Sequence, residues 1–329
     1  MPSGRTVIRI IPVFAVLLLN WSTAGAQFFQ NVDEWLKQRQ AKQPYDTTYI
    51  FRPQERWMVR ERSMFSGESM TLYARQEDTE CSLKLGSGLQ FRQSVGVGYR
   101  NVSLDIGFNP FKKRRTLDVD LSTYGNRLSF NGYFSLATGI EGTGKVNGTA
   151  IEIPLSAMGG TRGLLEFCYA FNGRRFSMPA AILQTYRQRK SAGSLLALAS
   201  AQFYGVVATD SAPASLPLNN ALTALLGLGL GYGYNWVPSE HWLIHLCLTE
   251  TVGLLNESQL KLNGQEMNFT AKAPVLATNG NMAVYYYYNN FYVGVLARYT
   301  NRIHLAIGDA GFFNGSTTSV AHLSAGIRF

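Results

Sequence analysis

The sequence predicts an all-β protein, a transmembrane antiparallel β-barrel of about 12 strands with a range of about 10–14. Apolar and polar residues alternate with a period of two through most of the chain after residue 82, as in strands with one apolar face. The runs 192–208, 221–237, 241–255 and 291–307 are 15 to 17 residues long, whereas strands of globular proteins are mostly about 5–6 residues. Only 16% of the residues are charged and 32 are glycine, which argues against an average soluble enzyme, a coiled coil or a disordered chain.

Residues 1–26 have the three parts of a signal peptide. Arg5 and Arg9 give the positive start, Ile10–Leu19 the apolar stretch, and Ala24–Ala26 the small residues of a cleavage site. The apolar stretch is too short to span a bilayer as a helix, which takes about 20 residues. We therefore expect a cleaved signal peptide and export, and for a barrel this predicts the outer membrane as the destination.

Residues 27–81 are predicted to form a periplasmic segment ahead of the barrel, which would then occupy 82–329. The first part of this segment is polar and charged, and Trp35 shares one face of a possible short helix with its apolar neighbours. We expect the segment to rest against the barrel mouth or to plug it, with binding of a periplasmic partner as the alternative. Residues 56–62 and 68–75 would add one hairpin and raise the strand number to about 14.

The run Leu222–Trp236 shows the barrel pattern best. A helix with glycine at every second position would be strongly destabilised. A lipid-facing strand, in contrast, has an apolar band with an aromatic end outside and tolerates small residues inside. One face carries Leu226, Leu228, Leu230, Tyr232, Tyr234 and Trp236, and the other carries Gly227, Gly229, Gly231, Gly233 and Asn235.

Twelve runs with this alternation are predicted as strands. The second run changes parity at Arg100–Asn101, and we interpret the change as a β-bulge, because two separate strands of about six or seven residues would be too short to span. Asn172–Gly173 is predicted as a hairpin turn, and 139–160 as a long periplasmic connection. The runs are 82–91, 94–108, 116–124, 127–138, 161–171, 175–186, 192–208, 221–237, 241–255, 280–288, 291–307 and 317–329.

The last run alternates up to the end of the chain, with Ala325, Ile327 and Phe329 on one face and Arg328 on the other. An amphipathic last strand that ends in Phe is similar to the assembly signal of bacterial outer-membrane barrels. This similarity implies that the barrel-assembly machinery recognises Phe329 and that outer-membrane lipids surround the folded chain.

The same period places charged side chains on the inner face of the predicted barrel. Paired carboxylates suit acid–base chemistry, and glycoside hydrolysis would need such a pair about 5–10 Å apart. Because inward arginines offer partners, we favour an ion-pair network that lines or fills the lumen and tunes what passes. The predicted lumen-lining residues are Asp105, Asp118, Asp120, Glu166, Arg175, Arg298, Arg302 and Arg328.

Five segments resemble a family of uncharacterised Bacteroidota outer-membrane proteins, the domain of unknown function 4421 family. The resemblance covers most of the chain after the signal peptide, and the fourth segment is the most specific. It implies an outer-membrane β-barrel, and it carries over no activity and no catalytic residues. The segments are Tyr45–Ile50, Ser94–Arg100, Thr116–Gly125, Arg175–Ser194 and Gly231–Trp236.

Three functions remain open from the sequence. A channel or transport barrel for small solutes is the first, because a barrel of about twelve strands is wider than the about eight that side chains can fill. A closed structural or interaction barrel with a filled lumen is the alternative. A lipid-acting enzyme is the third, but His322 and Ser324 face the lumen and only five residues follow Ser324, so no acidic partner follows in the usual order. We expect no enzyme activity.

No metal site, cofactor or nucleic-acid partner is predicted. The odd number of cysteines, Cys81, Cys168 and Cys247, and the lack of a CxxC pair favour packing roles for these thiols. The basic runs Lys112–Arg115 and Arg187–Lys190 fall in predicted connections, where they would be solvated or would touch anionic lipid headgroups.

Overall fold

The computed structural model describes residues 23–41, 44–76, 78–111, 114–270, 275–306 and 311–329. The chain divides into two units: the first ends at Pro44 and the second begins at Tyr45. Nearly all of the predicted signal peptide lies outside the described residues, and its cleavage stays a prediction. No helix of the described residues is long and apolar enough to cross a membrane.

The first unit contains one described helix, α1 (Thr23–Ala41). It is longer than the short helix expected around Trp35 and includes the predicted cleavage residues. Its apolar face is narrow, because Leu36 is buried whereas Trp35 is 56% exposed.

The second unit is an antiparallel β structure with fifteen strands in the described residues. Their bounds are β1 (Ile50–Phe51), β2 (Trp57–Gln76), β3 (Thr79–Tyr99), β4 (Val102–Phe108), β5 (Thr116–Tyr124), β6 (Leu128–Val146), β7 (Thr149–Ala170), β8 (Arg187–Gln188), β9 (Ala192–Ala208), β10 (Leu218–Trp236), β11 (Trp242–Leu262), β12 (Gln265–Thr270), β13 (Val275–Tyr288), β14 (Phe291–Ala306) and β15 (Gly311–Arg328).

Thirteen of these strands form one closed sheet, while β1 and β8 pair only with each other. Because β12 and β13 both pair with β11, they share one position, so the described wall has twelve positions. The first and last strands close the ring, where the amide of Trp57 donates to the carbonyl of Phe329 at 2.9 Å and the reverse bond has the same length. The prediction of an antiparallel barrel of about 12 strands is confirmed.

The outer face of the barrel is a belt of exposed apolar side chains, as expected for strands that face lipid. Aromatic rings gather at the end where the chain enters and leaves the wall, and we call this the plugged end, for reasons given below. The rings there belong to Trp57, Trp236, Trp242, Tyr288, Phe291 and Phe329. Further along, the belt includes Val59, Phe65, Val95, Val97, Leu104, Ile106, Leu121, Phe134, Leu165, Phe167, Leu228, Leu230, Leu246, Leu248, Met282, Val293, Val295 and Leu323.

The barrel starts earlier in the chain than the predicted residue 82. The two short segments 56–62 and 68–75 are parts of one strand, β2, which pairs with β3 on one side and β15 on the other. The sequence hides this strand because Glu61 and Ser63 interrupt the apolar outer face that Val59 and Phe65 begin.

The parity change at Arg100–Asn101 is a tight turn between β3 and β4, so the prediction of a β-bulge was wrong. Arg100 has a φ of +53°, the left-handed conformation that a reversal of the chain requires. The two strands β4 and β5 are short because they occupy only part of the wall height. Beyond them β3 pairs directly with β6, through Cys81–Gly86.

The predicted connection 139–160 was also wrong. Strands β6 and β7 continue through it and meet at a tight turn, where Asn147 and Gly148 have φ values of +48° and +78°. The polar residues that suggested a connection belong to the part of the hairpin that extends past the apolar belt.

Gly231 lies where β10 and β11 are close together. A Cβ atom there would lie 2.3 Å from the carbonyl oxygen of Leu248 and 2.5 Å from Cγ2 of Thr249. We expect Gly231→Leu to lower the free energy of unfolding by about 1–3 kcal/mol, because the strands must move apart. Urea unfolding in detergent micelles, followed by tryptophan fluorescence, measures the change. Leu230→Val is the control, since Leu230 is 70% exposed on the outer face; equal unfolding midpoints for the two variants would contradict the prediction.

Candidate functional site

The middle of the lumen holds a polar cavity of about 180 Å³. Alternating residues of the wall strands point into it, because successive side chains of a strand lie on opposite faces. Six of the eight predicted lumen-lining residues border it: Asp105, Asp118, Asp120, Glu166, Arg298 and Arg302. Side chains that the sequence analysis did not single out also border it: Arg62, Arg92, Tyr124, Asn131, Arg162, Thr249 and Asn281.

Asp105 on β4 is held by two arginines of β2. Arg60 Nε donates to Asp105 Oδ1 at 2.7 Å, a second guanidinium nitrogen of Arg60 donates to Oδ2, and Arg62 lies 3.4 Å away. The side chains of Arg60 and Asp105 are almost fully buried. Gly96 of β3 makes room for this contact, since a Cβ atom there would lie 2.0 Å from Asp105 Oδ1.

A second network joins five strands. Arg92 of β3 binds both carboxylate oxygens of Asp118 at 3.0 Å, and the Tyr133 hydroxyl donates to Asp118 at 2.9 Å. Arg162 donates to the same Tyr133 at 3.2 Å and pairs with Glu68 of β2 at 3.0 Å. The charges of β2, β3, β5, β6 and β7 are thereby connected through hydrogen bonds inside the barrel.

Other charged groups of the cavity make no direct ion pair. Glu166 and Arg298 make no hydrogen bond or ion pair of 4 Å or less with any described residue. Arg302 donates to the amide oxygen of Gln202 at 2.7 Å and lies over the ring of Tyr204, but it contacts no carboxylate in the described part of the chain.

The inward charges of the described wall strands are therefore unbalanced, and the lumen has an excess of positive charge, which attracts anions. The arginines are Arg60, Arg62, Arg92, Arg162, Arg298, Arg302 and Arg328, and the carboxylates are Glu68, Asp105, Asp118, Asp120 and Glu166.

Residues 171–191, between β7 and β9, leave the wall and fill one end of the lumen; we call them the plug. Their central part is a five-residue π-helix, Pro179–Leu183, and every residue from Phe176 to Tyr186 is buried. A spanning strand would alternate between buried and exposed residues. The predicted strand 175–186 was therefore wrong.

Wall side chains hold the carbonyl groups of the plug. Arg60 Nη1 donates to the carbonyl of Leu183 at 3.3 Å, and Arg328 Nε donates to the carbonyl of Gln184 at 2.7 Å. The Tyr287 hydroxyl donates to the π-helix at 3.3 Å. These donors come from β2, β15 and β13, so they tie the plug to neighbouring strands around the ring.

The opposite side of the plug is bound in the same manner. Asn235 of β10 donates at 3.0 Å to the carbonyl of Ser177 and to the side chain of Gln188, and its amide oxygen contacts Nδ1 of His245 at 2.7 Å. Phe176 packs near the His245 ring, with centroids 6.2 Å apart. Aromatic and aliphatic side chains complete the seal: Met58, Tyr124, Met178, Ile182, Leu196, Leu243, Tyr285, Tyr287 and Tyr292.

Residues 45–56, which precede the wall in the second unit, contact the plug and are not part of it. Strand β1 pairs with β8 at the end of the plug. Asp46 accepts hydrogen bonds from the hydroxyl and amide of Thr48, which lower the pKa of its carboxyl group. Arg175 pairs with Asp46 at 3.6 Å and its side chain is 56% exposed, so it does not line the lumen as predicted. Its inward position was inferred from a strand that does not exist.

The other end of the lumen, which we call the capped end, is filled by inward apolar side chains of the strands themselves. They form one buried cluster that extends past the polar cavity. Its members include Met70, Leu72, Cys81, Leu83, Leu85, Ile140, Val146, Ile153, Met158, Val206, Leu218, Leu260, Leu262, Met267, Phe269 and Phe312. Both ends of the polar cavity are thus covered, one by the plug and one by this apolar cluster.

The residues considered for chemistry do not form a reactive set. His322 and Ser324 are buried and face inward, and the Ser324 hydroxyl contacts the carbonyl of Gly294 at 3.4 Å instead of His322. No group of three or more potential metal ligands occurs in the described residues. The three cysteines are unbonded thiols: Cys168 and Cys247 border the polar cavity, and Cys81 lies in the apolar cluster.

Sequence reasoning missed the charges of β2 and β3. Arg60, Arg62 and Glu68 lie in a strand that was left out of the predicted barrel. Arg92 falls between the predicted strands 82–91 and 94–108, which the structure shows as parts of one strand, β3. Had the two runs been joined, its parity with the buried Gln90 and Ser94 would have placed it inward.

The family model DUF4421, described as a domain of unknown function, matches residues 44–329. The chain belongs to the DUF4421 family. The match covers the whole wall and the plug, and the resemblance noted in the sequence is confirmed. None of the curated proteins matches the chain.

Several solved structures are similar to this DUF4421 chain at low identity. The translocator domain of autotransporter NalP from Neisseria meningitidis has a TM-score of 0.39 and 13% identity, over 93% of this chain and 96% of that chain. The outer membrane protease OmpT from Escherichia coli has a TM-score of 0.36 and 11% identity, over 85% and 98%. The Pseudomonas putida toluene transporter TodX has a TM-score of 0.31 and 10% identity, over 88% and 93%.

Removing the carboxylate of Asp105 leaves two buried guanidinium groups without their counter-ion. We expect Asp105→Ala to lower the free energy of unfolding by about 3–5 kcal/mol. The matched control is Glu266→Ala, which breaks the exposed pair with Lys261 at 3.3 Å and should cost less than about 1 kcal/mol. Urea titration of both variants in the same detergent measures the difference, and similar midpoints would disprove the structural role of Asp105.

Proposed function

We propose that this protein is an outer-membrane β-barrel with a closed lumen, acting as a structural or interaction barrel and not as an open channel for small solutes. The observation that carries the proposal is the plug, whose buried residues from Phe176 to Tyr186 occupy the lumen at one end. Outer-membrane location is supported by the apolar belt, the aromatic rings at the plugged end and the predicted signal peptide.

The plug is bound too extensively to be a loose loop. Its backbone carbonyls accept hydrogen bonds from Arg60, Tyr287 and Arg328, all of which are buried. Moving it would leave these donors unpaired in a water-poor interior, and each buried polar group without a partner costs about 1–3 kcal/mol. The closed state is therefore the one that the contacts stabilise.

The capped end supports the same conclusion by a different means. Its side chains are aliphatic and aromatic, and they pack against each other inside the wall. An aqueous pore would expose this surface to water, at a cost of about 25 cal/mol for each Å².

A gated channel for anions is the second candidate, and the excess of inward arginines favours it. Arg298 and Arg302 border the cavity without a carboxylate within 4 Å among the described residues. Such a channel would conduct only after the plug and the apolar cluster had both moved. Catalysis is not proposed, because the described residues bring no nucleophile together with a histidine and an acid.

Conductance of the refolded chain from Gln27 to Phe329 in planar bilayers tests closure directly. We expect no stable ohmic steps from the wild type. Since β7 and β9 are neighbours in the wall, a short Gly/Ser linker can replace 174–190 without altering their pairing. This variant should have a lower unfolding midpoint, because the contacts of the plug are lost. When the side chains of the apolar cluster move apart, it should also show noisy openings that prefer anions. Stable steps from the wild type would refute the closed barrel.

The native thiols provide an independent test. With Cys81→Ala as background, the two remaining thiols, Cys168 and Cys247, are buried and both border the internal cavity. We expect a membrane-impermeant maleimide to leave both unlabelled in the folded wild type and to label them after replacement of 174–190, because the plug covers the cavity. Unfolded protein is the positive control, and rapid labelling of the folded wild type would show that water reaches the cavity.

A further inference from the structure

The barrel wall divides on one side of the molecule. Near the plugged end β4 and β5 lie between β3 and β6, whereas towards the capped end β3 pairs directly with β6. The pairing with β4 ends at Gln93, and the pairing with β6 covers Cys81–Gly86. Residues 87–92 of β3 therefore have no ladder partner on this side, and we call this place the fork.

Irregular backbone occurs on both sides of the fork. On β3, Ser87 is left out of the register with β2, and Gly88 has a φ of +58°. On β6, the register with β7 shifts at Gly139, which has a φ of +85°. Such bulges bend strands and end regular pairing, and here they bend the two edges around the gap between them.

The side chain of Arg114, from the connection between β4 and β5, fills this gap. A Cβ atom on Gly88 would lie 2.8 Å from its Nη1, and one on Gly139 would lie 2.7 Å from its Cγ. Its guanidinium donates to the carbonyl of Ser87 and, at 3.2 Å, to the carboxylate of Glu141. Arg114 thus replaces the missing ladder bonds with two hydrogen bonds from one side chain.

A small cavity of about 60 Å³ lies directly behind the fork. Ser87 and Gly86 border it on the wall side, and it shares Arg162 and Arg302 with the central cavity. Glu68 is its one carboxylate among the lining residues and already pairs with Arg162. Arg302 makes no ion pair of 4 Å or less with a carboxylate of the described residues, although it faces Glu68 across this cavity. Two guanidinium groups against one carboxylate leave the space suited to an anionic group.

The outer rim of the fork is apolar. Leu89 is 76% exposed and Phe111 is 60% exposed, and the rings of Phe91 and Phe111 lie 6.0 Å apart. Leu117 and Leu136 continue this surface along β5 and β6. A molecule at the rim would therefore meet hydrocarbon-compatible side chains outside and arginines inside.

We propose that the fork is a lateral portal through which an amphiphile with an anionic head group reaches the lumen, and that Arg114 holds it closed. The proposal rests on the closed lumen proposed above, since a barrel covered at both ends is accessible only through its wall. The head group, a carboxylate or a phosphate, lies beside Arg302 and Arg162, and the acyl chain remains at the rim formed by Leu89 and Phe111.

Access to the small cavity is measured with Ser316→Cys, a buried position that borders it, in a background with the three native cysteines changed to alanine. In liposomes, Arg114→Ala should raise the rate of labelling by a membrane-soluble alkyl maleimide by roughly tenfold, because a charged hydrogen bond is lost. Glu141→Ala, at a more exposed position, should raise it in the same direction. Arg115→Ala is the matched control, since Arg115 is exposed and its guanidinium contacts no described residue.

Each result decides the question. Equal rates for Arg114→Ala and Arg115→Ala, in variants that keep the wild-type unfolding midpoint, would overturn the portal. If an impermeant charged maleimide labels Ser316→Cys in the Arg114→Ala variant as fast as the alkyl maleimide does, the reagent reaches the cavity from the aqueous phase, and the lateral route from the membrane is wrong. Labelling of Ser316→Cys by the impermeant reagent without any change at Arg114 would instead show that the closed lumen itself has failed.

The head group is tested by protection from labelling. In the Arg114→Ala variant, dodecyl phosphate and dodecanoate should slow labelling of Ser316→Cys several-fold, whereas dodecanol should not, because only the anions pair with Arg302. Arg302→Gln should abolish the protection by the anions. Equal protection by dodecanol, or protection that survives in Arg302→Gln, would overturn the assignment of an anionic ligand to this cavity.

Discussion

The buried guanidinium of Arg60 joins the wall to the plug. It binds Asp105 and Ser103 on β4 and also donates to the carbonyl of Leu183. A charge without water needs an opposite charge and a full set of acceptors, or its burial is strongly unfavourable. Because the acceptors of Arg60 come from both the wall and the plug, the conformation of each part depends on the other. Arg328 repeats this arrangement from the last strand through the carbonyl of Gln184.

The two ends of the lumen are filled differently because the wall is not uniform. At the plugged end, β4 and β5 widen the ring, and side chains alone fill a barrel of only about eight strands. A separate chain segment fills the remaining space there. Beyond the fork the ring has lost these two strands, and large inward residues such as Leu83 and Phe269 are enough to close it. The polar cavity lies between these regions, where neither the plug nor the apolar cluster extends.

The alternation of apolar and polar side chains made the fold predictable from the sequence. In strands whose outer face is apolar, it also identified which residues point into the lumen. In β10, Leu228 and Leu230 lie on one face and glycines on the other, a pattern that predicts a strand with one apolar face and excludes a helix. Asp105 and Asp118 were placed inward by the same rule, and they border the central cavity. Where the outer face is mixed, as at Glu61 and Ser63 of β2, the alternation of apolar and polar residues is lost. The inward positions of Arg60 and Arg62 could therefore not be predicted.

Other features depend on contacts that are distant in sequence. A parity change such as that at Arg100 is the same for a bulge and for a tight turn, and the antiparallel pairing of β3 with β4 shows that it is a turn. Beyond β4, β3 pairs with β6. The fork follows from that pairing, so no local pattern reveals the role of Arg114. The plug has strand-like apolar content, and only the burial of both of its faces, including Ala180 and Ala181, distinguishes it from a strand.

The covalent attachment of the plug determines how the molecule responds to mechanical force. A plug formed by the start of a chain is held at one end and can be drawn out of a barrel by tension on that chain. Here the plug is anchored at both ends, to the adjacent strands β7 and β9. Tension applied before Tyr45 acts on residues 45–51, which are held by a few bonds to the plug: the amide of Asp46 donates to the carbonyl of Arg174, the amide of Arg189 donates to the carbonyl of Tyr49, and β1 forms two ladder pairs with β8. These non-covalent bonds separate before the plug leaves its two covalent anchors, so a pull on this segment detaches it and leaves the lumen sealed.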